Sequence, residues 1–158
     1  MKKTEIKSEF AEYDSASELS EAEQKLIQEA EKAAANAYAP YSEFKVGAAV
    51  LLEDGKIICG SNQENSSYPI GMCAERVALF AASAQNPGIK ITHIAVASSS
   101  HNPAAPCGAC RQVMAEYETL HKLSINILLK SSSSGKIISA NGVKNFLPMM
   151  FTRKDLGK

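Results

Sequence analysis

The pattern of apolar and polar positions changes period along the chain, and each change marks an element. Leu26, Ala30, Ala33 and Ala37 recur at helical spacing behind a Ser20/Glu23 capping-box pair, and Pro40 ends the run. This predicts a first helix whose small side chains suit close packing. Val46, Gly47, Ala48, Ala49, Val50, Leu51 and Leu52 then form a short apolar run closed by Asp54 and Gly55, a hairpin turn signal, with residues 56–61 as the return strand. Residues 62–71, rich in Asn, Ser, Pro and Gly, read as a surface loop that carries function. A second helix is predicted over residues 73–84, with Val77, Ala78, Phe80 and Ala81 as buried candidates and Pro87 and Gly88 closing it. Residues 91–98 read as a strand and 107–116 as a third helix. Residues 124–130 and 136–140 read as strands whose short connection makes them antiparallel. Residues 143–147 complete the series as a short helix before Pro148.

This order packs most economically as an α/β fold, a three-layer α-β-α sandwich around a mixed five-stranded sheet. At 158 residues, 45% of them hydrophobic, the chain can bury about two-thirds of its unfolded surface as one domain. Residues 1–19 are polar and without period. They are expected to be an extension, loosely held or packed on a partner subunit, and residues 20–158 a single domain.

Charge narrows the range of partners. Seventeen basic residues balance seventeen acidic ones, with no long basic run, so neither nucleic acid nor an anionic membrane is an expected partner. A small uncharged substrate fits better. Lys2, Lys3, Glu5, Lys7, Glu9 and Glu12 interrupt the first residues, which argues against a secretory signal or membrane span and makes the cytoplasm the default location. The four cysteines then read as reduced, metal-binding thiols rather than disulfides.

The chemistry gathers around Pro106, Cys107, Gly108, Ala109, Cys110 and Arg111. Two cysteines three apart can close on one metal ion, and Cys73, in the run Met72, Cys73, Ala74, Glu75, Arg76, offers a third thiolate beside an acid. A catalytic zinc keeps three protein ligands and gives its fourth position to water, whose pKa falls to about 7. Glu75 can then handle that water's proton. Both cysteine segments are read as helix starts, where free N–H groups and the helix dipole favour thiolates. Three thiolates leave the site negative, so a cation is wanted nearby, and Arg76 and Arg111 are the candidates.

Cys73, Ala74, Glu75 followed by Pro106, Cys107, Gly108, Ala109, Cys110, Arg111 and Gln112 resembles the zinc signature of cytidine deaminases, and the all-cysteine form is similar to their small homotetrameric branch. The resemblance covers about residues 20–151. It implies one zinc ion per subunit on Cys73, Cys107 and Cys110, and hydrolytic deamination of cytidine and deoxycytidine for pyrimidine salvage. In this scheme the zinc-activated water attacks C4, Glu75 shuttles the proton, and Arg76 withdraws charge from sulfur.

The resemblance also implies a substrate-binding set. Phe44 matches an aromatic that stacks on the base, although ordinary core packing is its bland alternative. Asn62 and Glu64 match the loop that holds ribose hydroxyls, and Ala74 lies beside the base. Ser66 and Tyr68 match positions at subunit contacts, and Phe151 matches an aromatic that reaches a neighbouring subunit's site. Met149 and Met150 stand here where smaller residues are usual.

The rival readings are a blasticidin-type aminopyrimidine nucleoside deaminase and a closed structural zinc module completed by His101. A third is a thioredoxin-like redox motif at Cys107 and Cys110, which leaves Cys73, Glu75 and Arg76 without a role. Cys59 is read as a small buried apolar side chain rather than a ligand.

Overall fold

The computed structural model describes residues 1–157. Its elements are β1 (Ala11–Tyr13), α1 (Glu21–Ala35), β2 (Val46–Leu52), β3 (Ile57–Ser61), α2 (Ala74–Gln85), β4 (Ile91–Ser98), α3 (Gly108–His121), β5 (Asn126–Ser131) and β6 (Ile137–Asn141). The strands form one six-stranded sheet in the order β1-β6-β5-β4-β2-β3, in which β4 and β5 are parallel and every other pair is antiparallel. No helix among the described residues is long and apolar enough to cross a membrane.

Alternation along the strands sends different side-chain sizes to the two faces. Ala48, Val50, Ile94, Val96, Ile127 and Leu129 point to the face covered by α2 and α3, where Ala78, Leu79, Ala82, Met114 and Ala115 meet them. Ala49, Ala95, Ala97 and Leu128 point the other way, onto Leu26, Ile27 and Ala30 of α1. The α1 face is built from small residues on both sides, so the helix comes very near the sheet. A Cβ added at Gly47 would lie 2.0 Å from the Ala30 carbonyl oxygen. The close packing expected of the first helix is therefore present, and the three-layer arrangement holds.

The sheet has a sixth strand beyond the five expected. Ala11–Tyr13, placed above in the polar extension, pairs with Ile137–Ser139 at the edge of β6. Phe10 beside it meets Phe146 edge-on at 5.0 Å between ring centroids, and the Glu9 N–H donates to Asn145 Oδ1 at 3.0 Å. Three residues paired on one side carry too little alternation to be seen as a strand. The helices also differ in length from their expected spans. The first stops at Ala35, with Asn36 as its cap rather than Pro40, and α3 continues past Glu116 to His121, where Lys122 closes it at a φ of 52°. Residues 143–145 form a single 3-10 turn rather than a longer helix. Phe80 is 45% exposed, whereas Leu79 and Ala82 fill the core beneath α2.

The topology places two helix N-termini together. Because β2 is antiparallel to both β3 and β4, the latter two run in the same direction and end on the same side of the sheet. β3 is followed by α2 and β4 by α3, so both helices start at that end, outside the carboxyl ends of the strands.

Candidate active site

Cys73 is the N-cap of α2 and Cys107 the N-cap of α3, both with extended backbone, and Cys110 lies in the first turn of α3. Neither side chain caps a backbone N–H of its helix, so the sulfurs are free to face one another. Cys73 Sγ lies 3.8 Å from Cys107 Sγ, which lies 3.5 Å from Cys110 Sγ, and all three atoms fall within 4.8 Å of each other. Tetrahedral zinc with Zn–S bonds of about 2.3 Å separates its sulfurs by about 3.8 Å. The three thiols fit that ion. His101 and Cys59 lie outside this cluster. Cys59 is exposed on β3, not buried as its strand position suggested, because the edge strand turns it toward Glu29 of α1.

Electrostatics prepare the cluster for a cation. Hydrogen bonds from Cys110, Arg76 and Cys107 hold the Cys73 thiol down at about 5, against the opposing effect of burial. Cys110 is pushed up by its contact with Cys73 and by burial, so a metal must displace its proton on binding. Arg76 is the cation at the sulfurs: its Nη2 donates to Cys73 Sγ at 3.7 Å, while its Nε is buried without a partner among the described residues. Arg111 turns away. Its Nε donates to the Pro106 carbonyl at 2.6 Å and its Nη1 to the Phe146 carbonyl at 2.9 Å, so it ties the start of α3 to the C-terminal segment.

Glu75, in the first turn of α2, is 5% exposed. Burial raises its pKa, opposed by a backbone hydrogen bond, and the nearby Cys73 charge raises it further. Such a carboxyl is suited to moving a proton rather than pairing with a surface cation. It opens onto a cavity of about 260 Å³ whose lining includes Phe44, Asn62, Glu64, Cys73, Ala74 and Cys107. Val96 at the end of β4 and Ala104 and Ala105 of the following loop form the rest of the apolar wall.

Of the residues expected around the substrate, Phe44, Asn62, Glu64 and Ala74 therefore meet at this cavity. Phe44 is 39% exposed, so it is a wall rather than a core residue. Asn62 Oδ1 accepts from the Val46 N–H and its Nδ2 donates to the Phe44 carbonyl, both at 2.9 Å. Glu64 accepts from the Tyr41 and Ser42 N–H groups at 2.9 and 3.2 Å and from the Ser42 hydroxyl, which lowers its pKa. Ser66, Tyr68 and Phe151 do not line the cavity. Tyr68 packs on Tyr41 beside an adjoining hollow of about 340 Å³, and Phe151 is 56% exposed with its carbonyl pinned by Gln112 Nε2 at 2.7 Å.

Sequence reading missed Ser42, which lines both hollows, and the Ala104–Ala105 wall. Ser42 stands two residues before Phe44 in a Pro-Tyr-Ser turn, the one local signal that could have found it.

Comparison with known proteins agrees with this geometry. A sequence model described as the cytidine and deoxycytidylate deaminase zinc-binding region matches residues 20–125. The chain is 44% identical over 133 residues to a cytidine deaminase of Halalkalibacterium halodurans, covering 84% of this chain and 96% of that one. A cytidine deaminase of Sporosarcina psychrophila is 42% identical over 134 residues, covering 84% and 93%. Among solved structures, cytidine deaminase from Burkholderia pseudomallei superposes with a TM-score of 0.72 at 44% identity, covering 80% of this chain and 97% of that one. The enzyme from Mycobacterium tuberculosis gives 0.65 at 32% identity, covering 81% and 95%. On the thiol geometry and these matches together, the chain belongs to the zinc-binding cytidine and deoxycytidylate deaminase family.

Proposed function

We propose that the protein deaminates cytidine and deoxycytidine to uridine and deoxyuridine by hydrolysis, with Glu75 as the proton shuttle. The observation that carries the proposal is the buried Glu75 carboxyl beside a three-thiol cluster, opening onto a cavity walled by an aromatic ring. Zinc on Cys73, Cys107 and Cys110 supplies Lewis-acid activation of water when bound.

The chain's own residues account for the rest. Phe44 stacks on the flat base and orients it. Glu75 takes a proton from the attacking water and delivers it to ring N3 as C4 becomes tetrahedral. It then takes the second water proton to the amino group, so one water enters and one ammonia leaves. A shuttle of this kind contributes about 10²–10⁴ in rate. Arg76 stabilises the thiolate of Cys73 and draws charge from the cluster.

The remaining assignments belong to the same proposal. Asn62 and Glu64 meet the ribose, and Ala74 borders the base. Ser66, Tyr68 and Phe151 contact neighbouring subunits of a homotetramer, each site being completed by Phe151 of another subunit. The exposure of Tyr68 (73%) and of Phe151 (56%), both large apolar rings, supports that reading. Pyrimidine salvage in the cytoplasm is the expected setting.

The test is to follow loss of the aminopyrimidine absorbance with cytidine, deoxycytidine and a blasticidin-like nucleoside, with zinc and released ammonia measured in the same samples. Turnover of the first two with about one zinc per chain is the expected result. Turnover of the third alone would move the substrate to that antibiotic class, and full zinc with no turnover would refute the enzyme reading.

A further inference from the structure

Both peptide groups of Phe44 are fixed by side chains. Asn62 Nδ2 donates to the Phe44 carbonyl at 2.9 Å, and the Phe44 N–H donates to Ser42 Oγ at 3.1 Å. The same Ser42 hydroxyl donates to the Glu64 carboxylate, which also takes the backbone N–H groups of Tyr41 and Ser42. Between Ser42 and Phe44, Glu43 has a φ of 55°, the left-handed region that non-glycine residues seldom occupy, and this turn brings the Phe44 N–H back over the serine. The loop before β2 and the loop after β3 are also joined by backbone bonds, Tyr38 N–H to the Asn62 carbonyl at 3.0 Å and Glu64 N–H to the Tyr38 carbonyl at 2.8 Å.

One hydroxyl thus joins the aromatic wall of the cavity to the carboxylate at its rim. We propose that Ser42 is a positioning residue for substrate binding, setting the Phe44 ring and the Glu64 carboxylate at a fixed separation and orientation. The inference rests on the deaminase reading above, because it takes the ring to meet the base and the carboxylate to meet the sugar. A serine hydroxyl suits the post because it gives one hydrogen and accepts another at the same atom. Without it the Phe44 N–H and one Glu64 oxygen lose their partner together, and ring and carboxylate can drift independently.

The test compares Ser42→Ala, Ser42→Thr and the parent with cytidine, measuring kcat and KM separately with zinc content beside them. Ser42→Ala is expected to raise KM about tenfold, the size of a lost hydrogen bond to a charged group, with kcat within about threefold and zinc unchanged. Ser42→Thr, which keeps the hydroxyl, is expected to return KM to within about threefold of the parent. On a Glu64→Gln background the effect of Ser42→Ala should shrink, because residues acting as a unit are not additive.

A parental KM in Ser42→Ala, with an active parent, overturns this inference and leaves the deaminase reading standing. So does a loss confined to kcat that tracks lost zinc. A parent that turns over no aminopyrimidine nucleoside overturns both. Should Ser42→Ala not be recovered folded, Ser42→Cys keeps a weaker donor of similar size and must raise KM in the same direction, a parental KM there being equally decisive.

Discussion

Gly60 of β3 lies under the first two turns of α2. A Cβ placed there would sit 2.5 Å from the Ala78 nitrogen, 2.9 Å from the Ala74 carbonyl oxygen and 3.0 Å from the Ala78 Cα. These are backbone atoms of a helix, so no side chain can rotate aside to relieve Gly60→Ala. Ordinary contacts at about 3.5–4.0 Å require the helix to retreat from the sheet by about 1 Å. A gap of that size forfeits a quarter to a half of the local dispersion energy, and overpacked core positions cost about 1–3 kcal/mol. The retreat has a second consequence, since Ala74 and Ala78 bracket Glu75 and Arg76 and follow Cys73, whereas Cys107 and Cys110 belong to α3 and do not move with α2. A 1 Å error in a catalytic group costs about 10²-fold in rate. Gly60→Ala should therefore lose about 1–3 kcal/mol in urea unfolding and about 10²-fold in kcat with cytidine. A parental urea midpoint together with a parental kcat would refute the reasoning, because the close approach of α2 to β3 would then carry no constraint.

Other perturbations address the site and the scaffold separately. Glu75→Gln keeps the shape of a buried side chain and removes its proton chemistry, so kcat should fall by about 10²–10⁴ while zinc content stays at the parent's level; activity within a few-fold of the parent would take Glu75 out of the mechanism. Chelation should abolish turnover and re-added zinc restore it. In the same experiment a thiol reagent should find one reactive cysteine, the exposed Cys59, before chelation and all four afterwards in the unfolded chain, and a second fast thiol in the zinc-loaded protein would mean that the ligand set is wrong. Glu118 accepts the N–H groups of Ile125 and Val143 at 2.8 and 2.9 Å, clasping α3 to the start of β5 and to the turn after β6. Glu118→Ala should cost about 2–4 kcal/mol by leaving both donors unpaired, read as a lower urea midpoint, and a change under about 0.5 kcal/mol would mean that water replaces the carboxylate. Burial raises the Glu118 pKa, so its ionisation opposes folding. The penalty is absent below the ordinary glutamate range and grows as pH rises toward the folded-state value, and Glu118→Gln should flatten that part of the stability profile.

Much of the site was legible because its signals are local. Cys107 and Cys110 share one helical turn, and Glu75 follows Cys73 by two residues, so spacing alone announces a metal and an acid. The elements around them were legible for a similar reason, since alternation and helical period need only a few consecutive residues to show. Harder to see were features whose cause lies across the fold. Cys59 alternates like a buried strand residue, yet β3 is the sheet edge and its side chain reaches the margin of α1. Phe80 looks apolar enough for the core, but the three-layer packing gives that position to Leu79 and Ala82. Residue type alone offered Arg76 and Arg111 for the sulfurs, with the resemblance favouring Arg76, and the fold gives their directions: Arg76 reaches Cys73 and Arg111 two backbone carbonyls.

The sequence by itself determined the thiol cluster's residue types, the acid beside it, the helix starts and the order of the longer helices and strands, because each depends on residue chemistry or short-range periodicity. Only the tertiary structure decided that β3 and β4 end on the same side, which brings Cys73 to Cys107 across 34 positions of chain. It likewise decided that a short polar segment at Ala11–Tyr13 completes the sheet edge, and that Ser42 joins Phe44 to Glu64. Such contacts are set by strand direction and by which edge stays open, and neither is written in any local window of residues.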